Sequence, residues 1–111
     1  MNDILVVKIA QDFSDTPGGR YITEGEYSGE AFRDEILIPK YKEAMNAGKR
    51  LVVNLDGCYG LATSFLEEAF GGLVRKEKNR DILSILEIVS EDRPNLKEKI
   101  IGYIKEARIN E

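Results

Sequence analysis

Short β-branched runs alternate along this chain with longer segments in which apolar residues recur at helical spacing. The runs at residues 4–9, 51–55 and 81–90 each predict a strand. The run at 51–55 is nearly continuous in apolar residues, which is typical of a strand covered on both faces. Residues 20–23 add a brief fourth strand before the glycine turn at Gly25.

Apolar residues at helical spacing predict a first helix from Ser28 to a stop at Gly48. Ser28 is a preferred helix cap, and Glu30 adds a carboxylate to the first turn, where the helix dipole favours it. Pro39 interrupts the apolar spacing, so we expect a kink or two abutting helices there.

Two further helices are predicted after the central strand. Ser64 and Glu67 have the spacing of a capping box, which opens a helix at Ser64. The pair Gly71-Gly72 in this helix indicates close packing against a neighbour or an early end. The last helix starts at Pro94, with Asp92 as its cap, and carries an apolar stripe to the C-terminus.

The order of these elements is strand, short strand, helix, strand, helix, strand, helix. Strands that alternate with helices favour a sheet that is at least partly parallel and is covered by helices. The predicted fold class is α/β, with a small mixed, partly parallel sheet of about four strands and three helices. Residues 1–111 are long enough for one such domain with a single core.

Composition excludes much of the usual catalytic chemistry. The chain has no His and one Cys, so it has no imidazole base, no Cys-His or Ser-His pair and no His metal ligand. One Cys also excludes an internal disulfide and a Cys-rich zinc site. We therefore expect a protein that is not an enzyme and that needs no cofactor or metal.

Charge and hydropathy bear on the cellular location of the chain and on whether it binds nucleic acid or a membrane. Sixteen basic and twenty acidic residues give a net charge of −4, which argues against nucleic acid as the main partner. No apolar stretch approaches the ~20 residues of a membrane span, and no signal-peptide pattern opens the chain. A lone thiol fits a reducing compartment, so a cytoplasmic location is expected.

The segment from Asp56 to Ser64 concentrates the remaining polar chemistry. It joins a strand end to a helix start, the place where sites gather in open α/β sheets. The functional interpretation makes Asp56, Tyr59, Thr63 and Ser64 an interaction site. The structural interpretation makes Asp56 a turn residue and Ser64 a helix cap. Cys58 lies in the same loop and is expected to be a partly buried thiol without an activating base.

Several motifs resemble the bacterial STAS-like domain family of unknown function, which is related to the STAS domains of sulfate transporters and anti-sigma factor antagonists. The resemblance covers almost the whole chain and is most specific in its last block. The motifs are Thr16-Pro17-Gly18-Gly19-Arg20-Tyr21, Ser28-Gly29-Glu30-Ala31-Phe32-Arg33, Asp56-Gly57, and Ser64-Phe65-Leu66-Glu67-Glu68-Ala69-Phe70-Gly71-Gly72-Leu73-Val74-Arg75.

The resemblance implies a small mixed sheet with helices mainly on one side. In anti-sigma factor antagonists, a partner kinase of the histidine-kinase-like ATPase fold phosphorylates a Ser or Thr before the corresponding helix. That position matches Thr63 and Ser64 here. Because Ser64 is expected to cap the helix and Phe65 to enter the core, Thr63 is the more available hydroxyl.

Two functions of different classes follow. The first is a non-enzymatic regulatory module that binds a protein partner, such as a histidine-kinase-like ATPase, through residues 56–64 and is switched by Ser/Thr phosphorylation. The alternative is a domain that binds a small anionic ligand or nucleotide with Arg20, Asp56 and Ser64. Either form is expected to be a monomer or a homodimer, with no membrane and no nucleic-acid partner.

Overall fold

A computed structural model describes residues 3–78 and 81–109. Within these ranges the sheet has three strands, β1 (Ile4–Lys8), β2 (Arg50–Asn54) and β3 (Leu86–Val89), in the order β1-β2-β3. Both pairings are parallel, with Leu5 opposite Leu51 and Leu51 opposite Leu86. The fold is therefore α/β, as predicted, with a wholly parallel sheet.

The helices differ widely in length. In chain order they are α1 (Ile9–Asp12), α2 (Gly29–Phe32), α3 (Ile38–Ala47), α4 (Thr63–Leu66), α5 (Gly72–Glu77), α6 (Ile82–Ile85) and α7 (Asn95–Ile109). A π-helical turn, Arg33–Leu37, joins α2 to α3 into a first composite helix, residues 29–47. A second π-helical turn, Glu67–Gly71, joins α4 to α5 into a second composite helix, residues 63–77. These two helices and α7 are the three main helices.

Both predicted ends of the first composite helix are confirmed. The Ala31 N–H donates to Ser28 Oγ at 3.1 Å, so Ser28 caps the start. Gly48 closes the end in the left-handed conformation, with φ 67°. The break expected at Pro39 is instead the π-helical turn just before it, where the Ile38 N–H donates to Arg33 O, five residues earlier. Pro39 follows as the second residue of α3, and because proline has no N–H it adds no unpaired donor just after the widened turn.

The predicted strand at residues 20–23 is wrong. Ile22–Glu24 forms a 3₁₀ turn, and the N–H groups of Arg20 and Tyr21 both donate to Glu24 Oε1, at 2.6 and 3.0 Å. Because one carboxylate takes these backbone donors, they are not available for a strand ladder. The predicted mixed sheet of about four strands is thereby reduced to three parallel ones in the described part of the chain.

The other corrections concern element boundaries. Only Leu86–Val89 of the run 81–90 is a strand, since Ile82–Ile85 forms α6 and buries Ile82. The second composite helix begins at Thr63 with Ala62 as its cap residue, so the capping box of Ser64 and Glu67 is wrong. Helix α7 does begin just after Pro94.

The core lies between one face of the sheet and the main helices. Leu51 and Val53 of β2 are fully buried on this face, while Val52 and Asn54 on the opposite face are only half-buried. The prediction that β2 is covered on both faces is therefore wrong. Phe32 from the first composite helix and Phe65 from the second pack with ring centroids 5.9 Å apart. Within residues 3–78 and 81–109, no helix has the length and apolar character needed to cross a membrane.

Candidate functional site

The loop after β2, residues 55–62, lies at the end of the sheet formed by the carboxyl ends of all three strands. This placement follows from the parallel sheet, because the carboxyl ends Lys8, Asn54 and Val89 must then share one edge. Three loops of the chain converge there. The segment singled out in the sequence thus occupies the usual position of a site in an open α/β sheet.

Asp56 and Asp92 fasten two of these loops together. The Asp92 N–H donates to Asp56 Oδ1 at 2.9 Å, and the Gly57 N–H donates to Asp92 Oδ2 at 3.1 Å. Gly57 has φ 92°, a left-handed conformation that favours glycine at this turn. Asp56 therefore has the turn role of the structural interpretation. Asp92 serves this loop junction, and not the helix cap expected for it.

The backbone around Tyr59 is held while its side chain is free. The Tyr59 N–H donates to Asp15 O at 2.7 Å, and Arg93 Nη2 donates to Tyr59 O at 3.1 Å and to Cys58 O at 3.4 Å. The Tyr59 residue is nonetheless 78% exposed, the largest fraction among the exposed aromatic residues described. The loop therefore presents an aromatic ring to solvent from a fixed base.

The Cys58 thiol turns inward from the same loop. It is buried, and its Sγ lies 3.8 Å from Ser14 O. The pKa of Cys58 is raised to about 11, chiefly by burial; Arg93 opposes the rise, and Asp15 and Asp56 add to it. Because the thiolate is the nucleophile, this residue is an inert packing group near neutral pH.

We predict slow alkylation of Cys58 in the native protein. At pH 8 iodoacetamide should modify Cys58 far more slowly than it modifies a free thiol of ordinary pKa, about 8.5. The rate should rise once urea unfolds the chain, and mass spectrometry of timed samples measures both rates. Equal rates with and without urea would contradict the buried, protonated thiol.

The two candidate hydroxyls differ in access. Thr63 is the first residue of α4 and is exposed, whereas Ser64 is half-buried and is followed by the fully buried Phe65. Neither hydroxyl caps the helix. The structure therefore gives Thr63 the accessible position at this helix start.

Arg20 does not join the loop residues. Its Nη1 donates to Glu67 Oε1 at 2.6 Å and to Glu68 Oε1 at 3.3 Å. The hydrogen bond with Glu67 is the main cause that raises the pKa of Arg20. The structure thus brings Arg20 to two carboxylates, and its guanidinium bonds neither Asp56 nor Ser64.

A charged network that sequence reasoning missed joins the two composite helices. Arg33 Nη1 lies 2.5 Å from Glu68 Oε2, and the two side chains are only 5% and 12% exposed. Arg75 Nη1 lies 2.8 Å from Glu67 Oε2. This bond to Arg75 is the main cause that lowers the pKa of Glu67. Both Arg33 and Glu68 sit in π-helical turns, so the widened turns face one another.

Glycines provide the space for this network. A Cβ on Gly72 would lie 2.7 Å from Arg33 Nη1, and one on Gly71 would lie 2.5 Å from Glu67 Oε2. The close packing predicted for Gly71-Gly72 is therefore confirmed, although the neighbour is an arginine and not an apolar surface. The glycine pair beside several charges was the available signal, but its partner Arg33 is distant in sequence.

A family comparison matches this architecture. The family described as STAS-like domain of unknown function (DUF4325) matches residues 28–96, which is more than half of the chain. The chain belongs to this family. The match includes the first composite helix, β2, the loop 55–62, the second composite helix and β3, so the STAS-like domain contains the candidate site.

No curated protein and no solved structure matches the chain. Among the described residues of this STAS-like domain, no three or more Cys, Asp or Glu side chains are grouped so that they could hold a metal ion.

Proposed function

We propose that this STAS-like domain is a non-enzymatic regulatory module that binds a protein partner through residues 56–64 and the start of α4. Phosphorylation of Thr63 switches the contact. The observation that carries the proposal is the exposure of Tyr59, whose backbone is held by hydrogen bonds to Asp15 and Arg93, together with the exposure of Thr63 at the adjoining helix start. A rigid base with an exposed aromatic ring suits recognition, because little conformational freedom of the backbone is lost on binding.

The chemistry of a phosphate at Thr63 supports a switch. A phosphoryl group adds about −1.5 to −2 charges and lies beside the free N–H groups of the helix start. The added charge changes the surface that Tyr59 and Thr63 present, while the Asp56–Asp92 junction holds the loop below. The resemblance to anti-sigma factor antagonists suggests that the partner is an ATPase of the histidine-kinase-like fold.

Two features favour binding over catalysis at this site. Asp56 is engaged by the Asp92 N–H, and the Cys58 thiol is buried with a raised pKa. A catalytic pair needs a base and a nucleophile within hydrogen-bond reach, each in its reactive state. The alternative of anion binding has less support, because Glu67 and Glu68 engage Arg20, its intended cation.

Phosphorylation is tested with the whole chain, ATP and purified ATPases of the histidine-kinase-like fold. We expect an intact-mass gain of one phosphate, lost in Thr63→Ala and kept in Thr23→Ala, a matched change at another exposed threonine. Ser64→Ala should retain the gain, because Ser64 is half-buried. Phosphate on Ser64 alone would overturn the assignment to Thr63, and no phosphate and no complex with any ATPase would overturn the switch.

A further inference from the structure

A second surface of the domain lies on the opposite flank of the sheet from β1, along the outer edge of β3. A groove of about 480 Å³ runs between this edge and α7. Its apolar lining comes from Leu83, Leu86, Ile88 and Ile101. Lys97 and Lys105 stand on either side of Ile101, and Arg50 and Glu87 line the strand side.

The edge of β3 carries unpaired main-chain groups. Val89 O accepts from the Leu55 N–H at 2.8 Å, so Glu87 and Val89 turn their peptide groups toward β2. Because the peptide groups of successive strand residues point to opposite sides, the N–H and C=O groups of Leu86 and Ile88 point away from β2. The Leu86 N–H donates to Ile82 O. No described residue bonds to Leu86 O or to the N–H and O of Ile88.

The charge of the groove is the reverse of the charge of the chain. The chain carries −4 overall, but the groove is lined by three cations and one carboxylate. Arg50 is engaged by Glu87 at 3.6 Å and by Ser84 O at 3.0 Å. Lys97 and Lys105 are exposed and form no ion pair with a described carboxylate. Two uncompensated positive charges therefore flank an apolar strip beside an open strand edge.

The spacing of these side chains fits an added strand. Lys97, Ile101 and Lys105 are four residues apart on α7, so neighbouring members lie about 6 Å apart along the helix. Alternate residues of an extended chain are about 6.6 Å apart. We propose that the β3 edge takes an extended segment of a partner protein with the pattern acidic-x-apolar-x-acidic. Its main chain pairs with Ile88, its apolar residue covers Ile101, and its acids meet Lys97 and Lys105.

A second copy of this chain fits the groove less well. Pairing of β3 with the β3 of another copy places two sets of uncompensated lysines beside the same interface. Like charges brought together oppose association, whereas an acidic segment neutralises both lysines. The positive charge of the groove therefore favours a partner segment with acidic side chains over a second copy of this chain.

Fluorescence anisotropy at low salt tests the proposal with a labelled peptide, Thr-Glu-Thr-Val-Thr-Glu-Thr. We expect saturable binding that weakens about tenfold or more in the double variant K97E/K105E, because two attractive contacts become repulsive. K76E/K99E is the matched control, since both lysines are exposed outside the groove and the net charge changes by the same amount, and it should bind within about twofold of the unchanged protein. A peptide with lysine in place of glutamate should not bind.

Hydrogen exchange and N-methylated peptides distinguish the mode of binding. The peptide should slow exchange of the Ile88 amide. N-methylation of alternate peptide residues should abolish binding for the set whose N–H groups face β3 and should leave binding intact for the other set. No saturable binding, or equal binding by K97E/K105E, would overturn the proposal. Protection of Ile88 that rises with protein concentration without peptide would replace the acidic partner with a second copy. None of these readouts involves Thr63, so the fate of the phosphorylation switch is decided separately.

Discussion

Replacing Gly29 with alanine is expected to lower the free energy of unfolding by about 3 kcal/mol. A Cβ at this position would lie 2.5 Å from Phe65 O and 3.1 Å from Glu68 Cβ. The first of these atoms belongs to the backbone of the second composite helix and cannot rotate away. The two composite helices must therefore separate where they cross, which loosens the packing of Phe32 on Phe65. Urea unfolding followed by circular dichroism measures the change.

Gly102→Ala is the matched control for Gly29→Ala. Gly102 lies within α7, and a Cβ there would meet nothing within 4 Å. The substitution should raise the free energy of unfolding by about 0.5–1 kcal/mol, because alanine is the better helix former. Opposite signs for the two glycines are the expected result. A neutral Gly29→Ala would show that the helices do not cross as closely as the structure has them.

Glu68→Gln is expected to cost about 3 kcal/mol of stability, the second large effect. The change leaves the Arg33 guanidinium, which is 5% exposed, without the charged partner that meets it between the helices. Only Asp34, bonded to Arg33 Nε at 2.8 Å, remains to balance it. Chemical unfolding again measures the loss.

A double-mutant cycle separates this pair from its surroundings. Arg33→Met with Glu68→Met should cost less than the two single changes added together, because the double variant leaves no buried charge unpaired and Asp34, which loses Arg33, has a side chain that is 40% exposed. Glu43→Gln serves as the control, since the Lys40–Glu43 pair is exposed at 3.4 Å and should contribute less than about 1 kcal/mol. Additive costs at Arg33 and Glu68 would indicate that they do not interact.

Local sequence signals predicted the helices and the place of the site well. Ser28 acts through its side chain on the next helical turn and Gly48 through its own backbone conformation, so their roles as cap and stop could be read without tertiary context. The position of the loop 55–62 followed from the order of elements alone. The strand runs around β1 and β2 were equally clear, because each is short and nearly continuous in apolar residues, with a Val pair at its centre.

Sequence patterns were misread where a polar group could bond either to a neighbour in the sequence or to a more distant residue. Glu67 has capping-box spacing with Ser64, but it bonds to Arg20 and Arg75 instead. Residues 20–23 have strand-like composition, yet the N–H groups of Arg20 and Tyr21 donate to the Glu24 carboxylate and that of Ile22 donates to Glu30. The apolar run 81–90 held both a buried helical turn and a strand, which apolar content alone does not separate. Arg33 and Glu68 meet only after the composite helices cross.

The parallel register also determines when the sheet forms during folding. Leu5 pairs with Leu51, and Leu51 pairs with Leu86, so each pairing closes a loop that contains an entire composite helix. Among the strands of the described residues, no two are joined by a hairpin, and no part of this sheet forms before such a loop has closed. During synthesis β1 emerges from the ribosome before β2, and it cannot pair until β2 has followed. Folding is therefore expected to be slower than that of a hairpin-built or helical domain of this length.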